Sequence, residues 1–169
     1  NESPLLQKKL AILLTLPSLG GLELNLLKFC KYRVKKLGLE TLLILAEGSS
    51  AVKWAIKENL PYQLLTKPRK YFSLTQILEL RKIINASSCS HVFISTSQDL
   101  DLCSWIKKDF KIIFYQQMQL GVVKKNFYHQ WKFSKVDYWI APLPWLKNEL
   151  LTKTNIPIEK IIVLPLCLD

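Results

Sequence analysis

The chain alternates between short unbroken apolar runs and longer stretches in which apolar residues recur every three or four positions. Leu10-Ala11-Ile12-Leu13-Leu14 is the first run, short enough for a strand buried on both faces. Pro17-Ser18-Leu19-Gly20-Gly21 stops it, and Leu27, Cys30, Val34 and Leu37 then form one helical stripe. Gly38 stands where that helix needs a left-handed C′ residue. A second run, Thr41 to Ala46, completes a βαβ unit.

The alternation continues to the end of the chain. Ser49 or Ser50 caps a predicted helix reaching Asn59, with Val52, Ala55 and Ile56 inward, and Pro61 ends it. Tyr62 to Leu65 is a short strand, Lys67 to Lys70 a basic loop, and Ser73 the cap of a longer helix. That helix presents Leu74, Ile77, Leu78, Leu80, Ile83 and Ile84 as a wide apolar face. Strands are predicted at His91–Ser95, Lys111–Tyr115, Asp137–Ala141 and Ile161–Leu164. Helices are predicted from Thr96 to near Lys108, from Lys124 to Ser134, and from Pro142 to Lys153, where prolines suit the first turn. Ile156 to Lys160 is a turn. The pattern implies a doubly wound, mainly parallel α/β sheet with helices on both faces, in one domain of 169 residues.

Ligands of such sheets bind beyond the carboxyl ends of the strands. Two segments belong there: Gly20-Gly21, and the polar stretch Gln116-Gln117-Met118-Gln119 with Gly121. Glycines let a ligand approach the main chain, and the following helix start favours an anion such as a diphosphate. A tight turn with no ligand uses the same residues, so this pair alone leaves both readings open. Neither a G-x-G-x-x-G nor a G-x-x-x-x-G-K-[ST] motif occurs.

Composition narrows the picture. Half the residues are apolar and mean hydropathy is +0.11, yet no run approaches the ~20 residues of a membrane span. Lys8-Lys9 before an apolar stretch imitates a signal peptide, but no small-x-small cleavage site follows. Cys30, Cys89, Cys103 and Cys167 lack zinc or redox spacing, three of them among apolar neighbours; buried thiols in a cytoplasmic setting are expected, and no metal. Asn85-Ala86-Ser87 is a chance sequon. A net charge of +11 favours an anionic neighbour. Lys28, Lys31, Arg33, Lys35 and Lys36 on the first helix are the expected membrane-facing bases; Lys67, Arg69 and Lys70, and Lys124, Lys125, Lys132 and Lys135 form further clusters. Headgroups of a peripheral anionic membrane suit them better than nucleic acid, for which no motif is present.

Two separated segments carry a resemblance. Pro17-Ser-Leu-Gly-Gly-Leu-Glu23 resembles the glycine loop of the family 4 glycosyltransferases, written Gly-Gly-x-Glu. Asp137-Tyr-Trp-Ile-Ala141, a helix, and Ile156 to Asp169 resemble that family's later strand, helix and closing Val-Ile-Pro-Asn-Gly-Val-Asp segment. The resemblance implies the Rossmann-like N-terminal half of a GT-B fold, the acceptor side. A donor-binding C-terminal domain with a Glu-x7-Glu motif is expected beyond Asp169. It further implies sugar transfer from a nucleotide-sugar co-substrate, with retention and without metal or other cofactor. The acceptor would be a polysaccharide, lipopolysaccharide or other lipid-linked glycan at the inner membrane face. By the same resemblance, Gly20 and Gly21 would offer amides to the donor diphosphate. Glu23 would orient the loop or the acceptor, or favour the helix start through the dipole.

The sequence departs from the family where many members carry a histidine: Tyr115-Gln116-Gln117 stands there, leaving Gln116, Gln117 and Gln119 as the cleft candidates. His129 and His91 read as ordinary residues. Pro142 replaces a common serine, and Cys167 the closing glycine. Trp131, Trp139 and Trp145 are expected in core or interdomain packing, while Trp54 or Trp105 could line a sugar site. No residue is assigned a catalytic role, and the fragment alone is expected to be inactive. The rival readings are a non-catalytic basic module that binds a membrane or partner, and one half of a nucleotide-sugar epimerase.

Overall fold

The structure, a computed structural model, describes residues 9–67, 74–107, 109–117 and 124–164. Its strands are β1 (Leu10–Leu14), β2 (Thr41–Ala46), β3 (Tyr62–Leu65), β4 (His91–Ile94), β5 (Lys111–Tyr115), β6 (Tyr138–Ala141) and β7 (Ile161–Val163). The helices are α1 (Gly21–Lys31), α2 (Ser50–Lys57), α3 (Leu74–Ser87), α4 (Ser97–Ile106), α5 (Phe127–Ser134) and α6 (Pro144–Lys153). The strands form one sheet in the order β3-β2-β1-β4-β5-β6-β7, and every neighbouring pair is parallel. This is the doubly wound, Rossmann-like arrangement, with its winding reversed between β1 and β4.

The period-two geometry of a strand divides the core. Ala11 and Leu13 of β1 join a cluster with Ile77, Leu80, Leu100, Cys103, Leu146 and Leu150, from α3, α4 and α6. Leu10, Ile12 and Leu14 point the other way, to Leu26, Leu27 and Cys30 of α1 and Ala51 and Ala55 of α2. All five β1 side chains are therefore buried, which is why that strand is apolar without interruption.

The helix faces differ from the periodicity in several places. After Lys31 the first helix widens into a π turn, Tyr32–Lys36, in which Leu37 N–H bonds Tyr32 C=O at 3.1 Å. A wider turn advances each residue by a smaller angle, so Leu37 rotates out of the apolar stripe into solvent. Gly38 then takes the expected left-handed conformation, φ +64°. In α2, Ile56 is 61% exposed and the buried positions are Ala51 and Ala55. Leu74 and Leu78 of α3 also face solvent, leaving Ile77, Leu80 and Ile84 inward. Two of these helices start later than expected. Asn126 caps α5, its Oδ1 accepting His129 N–H at 2.8 Å, and α6 opens on Pro144. Ser73, Arg69 and Lys70 lie outside the described residues.

Arg33 is a correction. It is only 1% exposed and faces no membrane. It lies three residues past Cys30 on the same helix face, so its guanidinium is carried into the protein. There Nε donates to Thr41 Oγ1 at 2.9 Å and the group sits 5.9 Å from the Phe29 ring centre. Of the tryptophans expected in core or interdomain packing, Trp139 is buried, Trp131 half-buried and Trp145 about half exposed, outside the core. Cys30, Cys89 and Cys103 are buried free thiols, and burial pushes Cys30 up to about 12; Cys167 lies outside the described residues. Among the described residues, no helix is long and apolar enough to cross a membrane.

Candidate functional site

The winding reversal opens a crevice where the segments after β1, β4 and β5 diverge. Its floor is held by Asp99, in the first turn of α4. The carboxylate accepts from Thr15 N–H at 3.3 Å and from the Thr15 hydroxyl, and its second oxygen accepts from Thr96 Oγ1 at 2.9 Å. Thr96 in turn caps α4, accepting Asp99 N–H at 3.2 Å. One side chain thus joins the end of β1 to the start of α4. Asp99 is fully buried, and burial pushes its carboxyl up to about 6 against the downward pull of these bonds.

The glycine loop forms one lip. Gly20 and Gly21 are exposed. Glu23 folds back so that Oε2 accepts Gly20 N–H at 2.8 Å, which takes one of the orphan donors of the α1 start. A Cβ at Gly21 would meet nothing within 4 Å, so the main chain there is open to a ligand. Of the two amides, Gly20's is thus engaged by Glu23.

Gln117 fastens the opposite lip to this one. Its Nε2 donates to Leu22 C=O at 3.2 Å and to Ser95 Oγ at 2.7 Å, while its Oε1 accepts from Asn25 Nδ2 at 3.1 Å. Ser95 Oγ itself donates to Tyr115 C=O at 2.9 Å. The α1 start, the β4 end and the β5 end therefore share one rim, with Glu23 and Gln117 on it. Gln116 is buried beside them, its N–H extending the sheet ladder to Ile140 C=O at 2.9 Å. Gln119 and Gly121 lie outside the described residues.

Below this rim lies a cavity of about 300 Å³. Phe114, Phe133 and Trp139 make an aromatic base, and Glu23, Ser95, Thr96, Ser97, Gln116, Gln117 and Lys124 make a polar mouth. Trp139 packs on Phe114 at 4.5 Å and edge-on to Phe133 at 5.3 Å between ring centres. Its Nε1 is buried and meets no acceptor among the described residues. A buried donor without a partner is costly unless something completes it. Charge at this end is positive: Lys124 at the mouth, and Lys132, buried and held by Ser97 Oγ at 2.7 Å and Asp101 at 3.1 Å.

Sequence reasoning did not single out Asp99, Trp139, Lys124 or the serines and threonine after β4 as site residues. The polar run Ser95-Thr96-Ser97-Gln98 behind an apolar strand carried the same signal as Gln116-Gln117. The basic residues of the first helix are not part of this site. Helix α1 starts at the rim and runs away from it, so Lys35 and Lys36 lie about 20 Å off, toward the other edge of the sheet. Lys31 there pairs with Glu58 at 2.6 Å, and Lys35 Nζ donates to Asn59 C=O at 3.3 Å. Neither histidine is at the mouth: His91 opens β4, and His129 Nδ1 lies 2.7 Å from Asn126 Oδ1. Among the described residues no three His, Cys, Asp or Glu side chains gather as a metal site.

No known family's sequence model matches the chain, and no curated protein matches it in sequence. Solved structures do match in fold. HepE of Anabaena, determined in complex with UDP and glucose, superposes with a TM-score of 0.69 at 15% identity over 94% of this chain and 44% of its own. A glycosyltransferase from Rickettsia africae gives 0.67 at 22% identity, over 93% and 43%. A protein named as a UDP-N-acetylglucosamine 2-epimerase from Listeria monocytogenes gives 0.64 at 10%, over 92% and 43%. The chain spans less than half the length of each of these proteins. What they share with it is the fold: a Rossmann-like parallel sheet as it occurs in one half of GT-B glycosyltransferases.

Proposed function

We propose that this chain is the acceptor-side half of a glycosyltransferase, in a longer protein whose second domain holds most of the nucleotide-sugar. The observation that carries the reading is the cavity at the carboxyl edge of the sheet: an aromatic base, a mouth of hydroxyls and amides, and the open glycine turn beside it. Such a surface suits a sugar, whose C–H faces lie on aromatic rings while its hydroxyls need donors and acceptors. Trp139 contributes a buried ring to that base. The Gly21 turn at the α1 start suits the donor's diphosphate through the helix dipole. Lys124 adds a positive charge on the same side.

In this scheme Gln116 and Gln117 orient the acceptor and Glu23 shapes the glycine lip. The donor is a nucleotide-sugar with no further cofactor, the transfer retains configuration, and the acceptor is a polysaccharide or a lipid-linked glycan. Incubating the full-length protein with a panel of labelled nucleotide-sugars and extracted acceptors tests it: transfer is expected. Neither transfer nor nucleotide binding by the full-length protein would refute it. Residues 1–169 alone are expected to be inactive, because half the cleft is missing.

The likeness to the Listeria protein favours a second reading, a nucleotide-sugar epimerase. It is distinguished by turnover of the nucleotide-sugar in the absence of any acceptor.

A further inference from the structure

Among the described residues, exposed aromatic side chains gather on α4 and α5, outside the cavity. Phe127 is 86% exposed, Trp105 54% and Tyr128 48%, and Trp131 joins them into one ribbon. Ring centres are 5.3 Å apart between Trp105 and Trp131, and 6.3 Å between Trp131 and Tyr128. Helical spacing puts Phe127, Tyr128, Trp131 and Lys135 on the same side of α5. Single exposed apolar residues are commonplace, but a contiguous patch of four aromatics marks a contact surface.

Its charge is as specific as its shape. Lys135 Nζ sits 5.6 Å from the Trp131 ring centre, Lys125 is exposed at the entry to α5, and its neighbour Lys124 lines the cavity mouth. Asp101 on α4 is engaged by Lys132 at 3.1 Å and by the Tyr128 hydroxyl at 2.7 Å. What faces outward is therefore aromatic rings bordered by lysines, on a chain of net charge +11.

We infer that this face lies on an anionic phospholipid bilayer. Trp and Tyr place their rings among the acyl–headgroup boundary and their polar ends in water, and lysines beside them meet the negative headgroups. The first helix offers less of this: Lys36 lies 6.0 Å from the half-buried Tyr32 ring, but among the described residues no exposed aromatic ribbon stands beside Lys28, Lys35 and Lys36, and Arg33 is buried. The surface expected there moves to α5. In this orientation the cavity mouth opens next to the headgroup layer, through Lys124. The inference concerns attachment only and holds whether the cavity transfers a sugar or epimerises one.

The test is co-sedimentation of the purified protein with phosphatidylcholine vesicles, with and without about one third phosphatidylglycerol. Sedimentation with the anionic vesicles alone, with a blue shift in tryptophan emission, is expected. Phe127→Ser is expected to weaken partitioning about tenfold, and combining it with Trp131→Ser to weaken it further. Lys125→Gln and Lys135→Gln are expected to cost about fivefold each. Phe127 is so exposed that its replacement should leave the melting temperature unchanged, which separates lost binding from lost folding. No binding to anionic vesicles would overturn the inference. So would full binding by the Phe127→Ser, Trp131→Ser variant, loss on Lys28→Gln, Lys35→Gln, Lys36→Gln instead, or lysine-dependent binding that single-stranded RNA matches and the aromatics do not affect.

Discussion

Asp99 gives the crevice a pH-dependent floor, and the effect can be worked out. An aspartate exposed in the unfolded chain titrates at 3.8; in the folded protein this one titrates at about 6, because its charged form is buried. Between those values the native state holds a proton that the unfolded state has released. Stability from this group is therefore fully present below about pH 4 and is lost as pH rises to about 6. The shift corresponds to about 3 kcal/mol.

Asp99→Asn isolates it. The amide Oδ1 can keep both bonds from Thr15, and Nδ2 can donate to Thr96 Oγ1, as a protonated carboxyl would. Urea unfolding at intervals from about pH 4 to pH 7.5, extrapolated linearly, gives the difference between parent and variant, in which other titrating groups cancel. The variant should be about as stable as the parent near pH 4 and more stable by about 2–3 kcal/mol at pH 7. A difference that stays flat with pH would refute the reasoning. A variant less stable at pH 7 would mean that the Thr15 and Thr96 bonds outweigh burial and that the carboxylate is preferred ionised.

Two further predictions concern the proposed ligands of the full-length protein. Trp139→Phe keeps an aromatic floor but makes it smaller, so the fold should survive while acceptor KM rises about fivefold with kcat held; an unchanged KM would show that the acceptor does not rest on this base. Gly21→Val meets no protein atom near its Cβ and should fold normally, yet should weaken nucleotide-sugar binding about tenfold in calorimetry. Unaltered binding would remove the diphosphate from this turn. Gly20→Ala is a different perturbation, since its Cβ would lie 2.8 Å from Glu23 Oε2 and displace that flexible carboxylate.

The strands were legible because their physics is local. Lys111 to Tyr115 and Leu10 to Leu14 are apolar runs bounded by polar or breaking residues, and each boundary needs only its own neighbours. Helix faces were less so. A π turn at Tyr32–Lys36 leaves no compositional trace, and it changes which of Val34 and Leu37 face inward. Arg33 stands in a run of bases and reads as one of them; only Thr41 and Phe29, brought to it by the fold, explain why it is inside. Thr96-x-x-Asp99 could be read as a helix cap, but the bond that matters for the crevice reaches across to Thr15. The same holds for Gln117, whose role depends on partners from the start of α1 and from the segment after β4.

The central position of β1 also constrains how the chain comes together during synthesis. Its outer neighbour β2 follows promptly, but its inner neighbour β4 pairs with it at Leu10–His91, roughly eighty residues later. Until β4 leaves the ribosome, β1 has an unpaired edge of five apolar residues and helices with no finished sheet to cover. Nascent chains halted before residue 91 should therefore be sticky and dependent on chaperones, and those released after β4 should close quickly.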